Sequence, residues 1–470
     1  MTRRVLFISH NHPSIRPGGA ENYAVELADS FRAAGEDVIL LAKGGAPLGR
    51  SGRVHEGTIV TPIDGRSDEY FFFTEPYVYD WLNGTITDKD FYTLHFRRFL
   101  EAVRPDVVHL QHALFLGYDV LREIRTTLPD AVIVYTLHEF SAICHRDGQM
   151  VRTFGHDELC DHANARRCHE CFPEISPQDF FLRERFIKGQ FEMVDTFVTP
   201  SRFLRDRFVA WGLDPGRILH EPNGRVAPPA VARPSSRERR TRFGFFGQIT
   251  RFKGLDVLLE AMALLRAETS GTNSELADLV AALGLGPTSG APAEDRPHLW
   301  VHGANLDLQL HEYREHVGDL LAATSADVTL VGAYRPEQLP ELMEEIDWVV
   351  VPSIWWENAP LVIQEAFTHG RPVICSDIGG MAEKVTDGVD GLHFRARDPR
   401  SLAATIQRAS TEPGLWDQLA GGISPTHDMD DHRTWLSNLY GELARRPRAG
   451  RVTEVPTTVR SRSASRRVSP

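Results

Sequence analysis

Short apolar runs alternate with amphipathic stretches along most of the chain. In the first half the stretch from Gly18 places Ala24, Leu27, Ala28 and Phe31 on one helical face and ends at Gly35, which predicts a helix with a glycine C-cap. The strands predicted around it are "RRVLFIS", "EDVILLA", "DVVHLQ", "AVIVYTLH" and "TFVTPS". Near-continuous apolar strands separated by helices are typical of a parallel sheet covered on both faces.

The pattern breaks at "EPNGRVAPPAVARPSSRERR", which is rich in Pro, Ser and Arg and has no periodicity. After it the alternation restarts with the predicted strands "TRFGFFG", "HLWVHG", "DVTLVG", "WVVVPS" and "PVICSD". We therefore predict two doubly wound Rossmann-like α/β domains, which face each other across a cleft. The predicted boundaries are 1–222 and 241–425 for the domains, 223–240 for the linker, about 268–297 for a mobile insertion, 426–446 for a C-terminal helix and 447–470 for a disordered basic tail.

Composition narrows the class of protein. The chain has 470 residues and a formal net charge of -12, which argues against a general nucleic-acid binder. No apolar run approaches the roughly 18 residues that span a membrane, and "VLFIS" is too short for a signal peptide, so we expect a cytoplasmic protein. The Arg-rich tail is expected to be solvated, with peripheral contact to the inner face of a membrane as the alternative.

The segment "WWENAPLVIQEAF" carries two acids, Glu357 and Glu365, eight positions apart. If the segment is helical from Pro360, the acids lie about 12 Å apart on one face, with free backbone N–H groups between them. Those N–H groups form an anion site at the positive end of the helix, and the two acids can accept hydrogen bonds from hydroxyl groups. The alternative is that Glu357 caps the helix and Glu365 is a solvated surface acid.

Three further motifs lie at strand ends, where ligands bind in doubly wound sheets. Lys253 in "FGFFGQITRFKGLDVLLEA" precedes a predicted helix, a position that favours a bound anion, although a flexible surface lysine is the alternative. Gly18 and Gly19 in "RPGGAEN" form a turn that lets backbone approach a phosphate, but the third glycine of a dinucleotide fingerprint is absent. His138 in "YTLHEF" faces the predicted cleft, unless it is only a structural hydrogen-bonding group.

Taken together, "GGAE", "TLHE", "FGQITRFKG", "PSIWWENAPLVIQEAF" and "PVICSDIGGMAEKVTDGVDGLHF" resemble the family-4 retaining glycosyltransferases of the GT-B fold. The resemblance covers roughly residues 3–410, and Glu357 and Glu365 match the family's pair of glutamates with seven residues between them. It implies an acceptor-side N-terminal domain and a C-terminal domain that binds a nucleotide-diphosphate-sugar.

The resemblance also implies a role for each motif residue. Gly18 and Gly19 lie under the donor diphosphate, His138 lies beside the transferred sugar, Lys253 neutralises the departing diphosphate, Glu357 contacts the donor sugar with backbone groups of Asn358, Ala359, Pro360 and Leu361, and Glu365 holds the ribose hydroxyls. Many members carry Arg where this chain has Gln248. Either one phosphate contact is missing here, or Arg251 supplies it; we expect Lys253 and Arg251 together.

The implied reaction is transfer of a sugar to an acceptor hydroxyl with retention, by same-face substitution, with no metal or other cofactor needed for catalysis. The donor base and sugar stay open among UDP-, GDP- and ADP-sugars, and the acceptor among glycans, lipid-linked intermediates and small molecules. The alternatives are an epimerase or hydrolase acting on the same donor, and a non-catalytic nucleotide-sugar binding protein.

Four of the five cysteines, Cys144, Cys160, Cys168 and Cys171, crowd into a loop that follows His138 and is expected to shape the acceptor side. Four thiolates can close a structural zinc site, with the neighbouring residues His145, His156, His162 and His169 as alternative ligands. Reduced thiols packed in an ordered loop, or an occasional disulfide, are the alternative. The aromatic segment "EYFFFTEPYVYDW" either lines the acceptor pocket or packs in the core.

Overall fold

The structure is a computed structural model, and it describes residues 3–15, 18–44, 60–63, 65–73, 78–155, 157–226, 240–270 and 296–446. Most of the predicted linker, the centre of the predicted insertion, the basic tail and His156 lie outside the described residues. None of the described helices combines the length and apolar composition that a membrane crossing requires.

The first half of the chain forms an eight-stranded sheet with the order β10-β9-β8-β7-β1-β2-β4-β3. Every neighbouring pair is parallel except β3 with β4. The strands are β1 (Arg4–Ser9), β2 (Asp37–Gly44), β3 (Val60–Ile63), β4 (Arg66–Phe73), β7 (Val107–Leu110), β8 (Val132–Thr136), β9 (Thr196–Thr199) and β10 (Ile218–His220), with β5 (Tyr79–Asp80) and β6 (Thr85–Ile86) pairing separately. The parallel arrangement confirms the fold expected from the apolar runs.

Helices cover both faces of this sheet. They are α1 (Gly19–Ala33), α2 (Arg97–Val103), α3 (Asp119–Thr127), α4 (Ala165–Cys171), α5 (Pro177–Phe191) and α6 (Arg202–Trp211), with a π-helical turn at Phe91–Phe96 and a 3-10 turn at Pro215–Arg217. Two of them begin at serine caps. The Ser201 hydroxyl caps α6 by accepting from the Leu204 N–H, and the Ser176 hydroxyl, directly before Pro177, caps α5 by accepting from the Asp179 N–H. Among the described residues of the aromatic segment, Phe72 is fully buried against Phe91 and Phe96, whereas Trp81 is 49% exposed.

The second sheet has six parallel strands in the order β13-β12-β11-β14-β15-β16. Numbered within the domain, this is the order 3-2-1-4-5-6 of a dinucleotide-binding fold, with the switch point between β11 and β14. The strands are β11 (Arg242–Gln248), β12 (His298–Ala304), β13 (Val328–Leu330), β14 (Trp348–Val351), β15 (Val373–Ser376) and β16 (Gly391–Phe394). Its helices are α7 (Leu255–Ser270), α8 (His311–Ala323), α9 (Leu339–Glu344), α10 (Leu361–Thr368), α11 (Gly379–Lys384), α12 (Pro399–Thr411) and α13 (Leu415–Gly422), with 3-10 turns at Arg251–Lys253 and Pro336–Gln338.

The last helix, α14 (Met429–Arg445), returns to the first domain rather than completing the second. Its buried residues Leu436 and Tyr440 join one apolar cluster with Phe7 and Phe31. The Tyr440 hydroxyl also hydrogen-bonds His109 Nδ1 at 2.6 Å. The chain therefore crosses between the domains twice, once after β10 and once before α14.

Candidate active site between the two domains

Lys253 and Glu357 meet at the switch point of the second sheet. Lys253 ends the 3-10 turn after β11, Glu357 lies in the loop after β14, and Lys253 Nζ is 2.6 Å from Glu357 Oε1. The two loops touch directly, because the Ile354 N–H donates to the Phe252 carbonyl at 2.9 Å. Gly254 permits this contact: its φ is +69°, and a Cβ there would lie 2.0 Å from the Pro352 carbonyl oxygen.

Glu357 is a buried carboxylate held in its charged form. Besides Lys253, the Ser353 hydroxyl and the Trp355 indole N–H donate to the same oxygen, Oε1, at 2.8 and 3.0 Å. Burial acts to raise the pKa of Glu357, but Lys253 and the two neutral donors outweigh it and hold the pKa below its ordinary value. The second carboxylate oxygen receives none of these three bonds.

A cavity of about 200 Å³ lies beside this pair, and both domains line it. Its wall includes Gly19 and Ala20 at the start of α1, and Pro360 and Leu361 at the start of α10. The positive ends of two helices therefore border one cavity, an arrangement that favours a bound anion. Helix α10 begins at Leu361 with Pro360 as its N-cap, so the prediction that Pro360 opens the helix was one residue early. Asn358 and Ala359 line the same wall.

His138 reaches this cavity from the end of β8. Its Nε2 is 2.9 Å from Gln111 Oε1, which makes Nε2 the protonated nitrogen because an amide oxygen only accepts. Burial, then the neighbouring imidazoles of His112 and His10, lower the pKa of His138 to about 3. His138 is therefore neutral near pH 7. The ring of Tyr23 packs on it with a centroid separation of 5.4 Å.

Glu365 has a different environment from the one predicted. Its Oε1 accepts from Arg225 Nη2 at 2.8 Å, and the other guanidinium nitrogen of Arg225 holds Glu26 at 2.9 Å. Burial raises the pKa of Glu365, and Arg225 opposes this only in part. The two acids do not share a helical face, because only Glu365 lies on α10; Glu357 precedes the helix. Glu357 lines the 200 Å³ cavity and Glu365 lies outside its lining.

A second cavity, of about 670 Å³, adjoins the first and shares Lys253 and Trp355 with it. Gln248 and Arg251 both line this second cavity. Arg251 forms an ion pair with Asp157 of the cysteine loop, so its charge bridges the domains. The structure thus brings Arg251 near Lys253 but gives it a carboxylate partner.

The four clustered cysteines are free thiols in the structure. Within the described residues, no three of their sulfur atoms approach one another within 4.8 Å. Burial raises the pKa of Cys144 to about 11 and of Cys168 to about 12. The structural zinc site therefore stays a prediction. The loop does contact the site, since the Trp356 indole N–H donates to the Cys160 carbonyl at 3.0 Å.

Sequence reasoning predicted Asn358 as a site residue but missed Ser201, Asn223 and the side-chain contacts by which Asn358 joins the two halves of the site. The Asn358 amide donates to the His138 carbonyl at 3.0 Å, and its oxygen accepts from the Ser201 hydroxyl. Gly380 supports this loop, because a Cβ there would lie 1.5 Å from the Asn358 carbonyl oxygen. Asn223 also lines the first cavity, although the sequence places it in the linker. The signal that was available is the polar Asn-Gly pair at 223–224 ahead of the Pro-rich stretch.

Two family models match the chain, one on each domain. Residues 17–225 match the model described as Glycosyltransferase Family 4, and residues 240–412 match Glycosyl transferases group 1. The chain therefore belongs to the family-4 glycosyltransferases and has the GT-B fold, as the motifs indicated.

Individual relatives and structures agree with this assignment. A D-inositol 3-phosphate glycosyltransferase of Stackebrandtia nassauensis is 30% identical over 210 residues, 43% of this chain, and the match covers 42% of that relative, less than half of its length. A glycogen synthase of Mycobacterium tuberculosis is 24% identical over 87% of this chain and 86% of its own. Sucrose-phosphate synthase from Thermosynechococcus elongatus superposes with a TM-score of 0.65 at 18% identity, over 94% of this chain and 99% of that one.

A further similar structure is a complex with a nucleotide sugar. Anabaena HepE in complex with UDP-glucose superposes with a TM-score of 0.60 at 14% identity, over 93% of this chain and 99% of that one. At that identity the likeness shows the shared fold. It does not identify a donor for this chain.

Proposed function

We propose that this protein is a retaining glycosyltransferase that moves a sugar from a nucleotide-diphosphate-sugar to an acceptor hydroxyl, without a metal ion at the diphosphate. The observation that carries the proposal is the Lys253–Glu357 pair on the wall of an interdomain cavity. A cation, a buried carboxylate and two helix N-termini around one small cavity suit a ligand that has both phosphate charge and sugar hydroxyls.

Donor binding would redistribute the charges of this pair. A diphosphate near Lys253 and the start of α10 replaces Glu357 as the partner of the Lys253 ammonium group. The pocket then compensates the charge of the diphosphate without a metal. Glu357 keeps its hydrogen bonds from Ser353 and Trp355, and it can accept a further hydrogen bond from a hydroxyl of the sugar being transferred. Gly19 contributes backbone to the cavity wall at the start of α1, and Gly18 is the N-cap of that helix.

The bond changes follow from this placement. The acceptor oxygen forms a bond to the anomeric carbon, and the bond from that carbon to the diphosphate oxygen breaks. The acceptor's proton passes to a phosphate oxygen on the same face, so no carboxylate forms a covalent intermediate, in contrast to retaining glycosidases. Lys253 and the helix N-terminus stabilise the charge that develops on the diphosphate.

His138 acts in this scheme as a neutral hydrogen-bonding group. With Nε2–H donating to Gln111, Nδ1 is an acceptor, and the low pKa keeps the ring uncharged through the physiological range. A neutral ring beside the transferred sugar can position a hydroxyl without adding positive charge near the anomeric centre.

The donor class is a nucleotide sugar in this proposal, in line with the UDP-glucose bound by HepE, which shares the fold. The acceptor is a sugar, a lipid-linked intermediate or a small molecule. We place the enzyme in the cytoplasm, with peripheral contact at the inner membrane face as a separate expectation.

Donor identity is tested by thermal unfolding with UDP, GDP, ADP and their sugars, because a ligand that binds only the folded state raises the midpoint. The stabilising nucleotide sugar is then incubated with candidate acceptors, in buffers without added Mg²⁺ or Mn²⁺. We expect product with retained anomeric configuration, read by NMR coupling constants, and no dependence on added divalent ions. An inverted product would contradict the same-face reaction.

The same experiment separates the alternatives. Turnover of the donor without any acceptor, at a rate that acceptors do not raise, identifies a hydrolase or epimerase. Binding without turnover under every condition identifies a nucleotide-sugar binding protein.

A further inference from the structure

A cluster of one carboxylate and two imidazoles lies where the chain crosses between the domains. Glu221 follows β10 on the outward crossing, whereas His427 and His432 flank the start of α14 on the return. Glu221 Oε1 is 2.8 Å from His427 Nε2 and 3.5 Å from His432 Nδ1. The three potential ligand atoms all lie within 4.8 Å of one another. Within the described residues no other group of three or more His, Cys, Asp or Glu side chains meets that distance.

His432 gives an independent indication that the cluster holds a ligand. Its side chain is only 1% exposed, and Nδ1 has no hydrogen-bond partner among the described residues. The other ring nitrogen, Nε2, is 2.6 Å from the Tyr23 hydroxyl. In the tautomer whose Nε2–H donates to Tyr23, Nδ1 presents a lone pair toward the Glu221 carboxylate. In the other tautomer Nδ1–H faces Glu221 Oε1 at 3.5 Å, which is too far for a good hydrogen bond. A buried lone pair beside an anion is unfavourable unless a cation lies between them.

We propose that Glu221, His427 and His432 bind one divalent transition-metal ion of the zinc class at this interdomain crossing. Two imidazoles and one carboxylate are a common protein ligand set for zinc, with a fourth position left for water. Tyr23 would be the outer partner that fixes the orientation of the His432 ring, as hydrogen bonds to metal-bound imidazoles usually do. His427, with a side chain 30% exposed, gives the ion a route from solvent.

The backbone around the cluster allows the segment after β10 to lie close to the segment at the start of α14. A Cβ on Gly224 would lie 2.6 Å from the His432 Cβ, so only glycine fits between them. The Arg225 N–H also donates to the His427 carbonyl at 3.1 Å. A metal ion at this point would fasten the outgoing segment to the incoming one.

The metal would act on the arrangement of the site and not on the sugar transfer itself. His432 contacts Tyr23, and the Tyr23 ring packs against His138 on the cavity wall. Asn223, two residues after Glu221, lines the same cavity and accepts from the Gln364 amide of α10 at 2.8 Å. Metal occupancy is thus coupled by direct contacts to both domains.

The test uses the full-length protein, stripped with a chelator, and Zn²⁺ alone as the probe. Because the cysteine loop is a second candidate zinc site, the measurements are made on a Cys168→Ser/Cys171→Ser background. Zinc uptake is measured by equilibrium dialysis, and the ligand atoms by X-ray absorption. We expect one equivalent of zinc with nitrogen and oxygen ligands and no sulfur, and a higher midpoint of thermal unfolding when zinc is added.

The variant His427→Ala in the same background should lose that equivalent and the thermal shift. The matched control is His311→Ala, which removes an imidazole 71% exposed on α8, far from the cluster in sequence, and should keep both. Should His427→Ala fail to fold by circular dichroism, Glu221→Gln provides the same comparison with an isosteric side chain. Undiminished zinc uptake in the folded variant, or no uptake by the parent background, would overturn the proposal.

Discussion

Glu357 is buried and Glu365 is partly buried, and each is paired with a cation, yet their pKa values shift in opposite directions. The pKa of Glu357 is lowered, whereas that of Glu365 is raised. Burial works against the charged form in both cases. The difference lies in how many groups stabilise each carboxylate.

Glu357 has Lys253 to itself and also receives two neutral hydrogen bonds. Glu365 relies on Arg225, and Arg225 also serves Glu26, whose pKa burial likewise raises. One shared guanidinium does not compensate two partly buried carboxylates. The comparison teaches that a cation at ion-pair distance does not by itself set the charge state of a buried acid; the number of donors directed at the carboxylate matters as much.

The largest effect is expected from removing Lys253, the cation that is paired with Glu357. Lys253→Ala should lower kcat/KM for sugar transfer by about 10²–10³-fold, because it removes the charge that stabilises the departing diphosphate. Initial rates with saturating acceptor measure it. Arg251→Ala, in the same turn but paired with Asp157, is the matched comparison and should lose much less. Equal losses in the two variants would show that the Lys253–Glu357 pair has no special role.

Removing Arg225, the cation paired with Glu365, should change the free energy of unfolding more than the rate of sugar transfer. Arg225→Met leaves Glu26 and Glu365 without their shared cation, and we expect a loss of about 2 kcal/mol in the free energy of unfolding at pH 7. The loss is less than for a fully buried pair, since the three side chains are 17–29% exposed. Urea unfolding measures it.

The double variant Arg225→Met/Glu365→Gln is the control for that prediction. Removing the unpaired acid should recover part of the lost stability, as a double-mutant cycle would show. If the second substitution instead adds its full cost to the first, Arg225 and Glu365 are not coupled.

The fold could be predicted from the sequence because buried parallel strands leave a local signature. Strands β1, β7, β8, β14 and β15 all fall on apolar runs that predict strands. Lys253 was also placed correctly before a helix, since strand, glycine turn and helix follow one another in the chain.

The partners of the site residues could not be predicted in the same way. Arg225 lies 140 residues before Glu365, in a Pro-rich stretch interpreted as linker, and only the return of the chain brings them together. The shared face expected for the two acids was wrong because helix α10 begins after Glu357. Contacts distant in sequence carry no periodic signal, so the charge environment of each acid appears only in the folded structure.

The opposite pKa shifts of Glu357 and Glu365 can be tested by measuring stability against pH for the variants Glu357→Gln and Glu365→Gln. The lowered pKa of Glu357 contributes stability above about pH 4.5 that is lost as pH falls through the folded-state pKa. The raised pKa of Glu365 has the opposite sign: its stabilising proton is held at low pH, and stability is lost as pH rises above about 4.5 through the folded-state pKa.

Glu357→Gln should therefore become less destabilising, relative to the parent, as pH falls below about 4.5, whereas Glu365→Gln should become less destabilising as pH rises above about 4.5. Urea unfolding of the three proteins at intervals of half a pH unit measures both slopes. Slopes of the same sign would contradict the opposite charge environments of the two acids.

The smallest effect concerns one of the neutral donors to Glu357. Ser353→Ala removes a buried hydrogen bond of 2.8 Å, and we expect about 1 kcal/mol less stability at pH 7 and a several-fold lower transfer rate. The stability difference should shrink below about pH 4.5, because a protonated Glu357 needs this donor less. Ser376→Ala is the matched control, since the Ser376 hydroxyl is equally buried in the neighbouring strand β15 and has no hydrogen-bond partner among the described residues. That substitution should be neutral or slightly stabilising, so a comparable loss in both variants would mean that burial of the hydroxyl, and not its bond to Glu357, is what the protein requires.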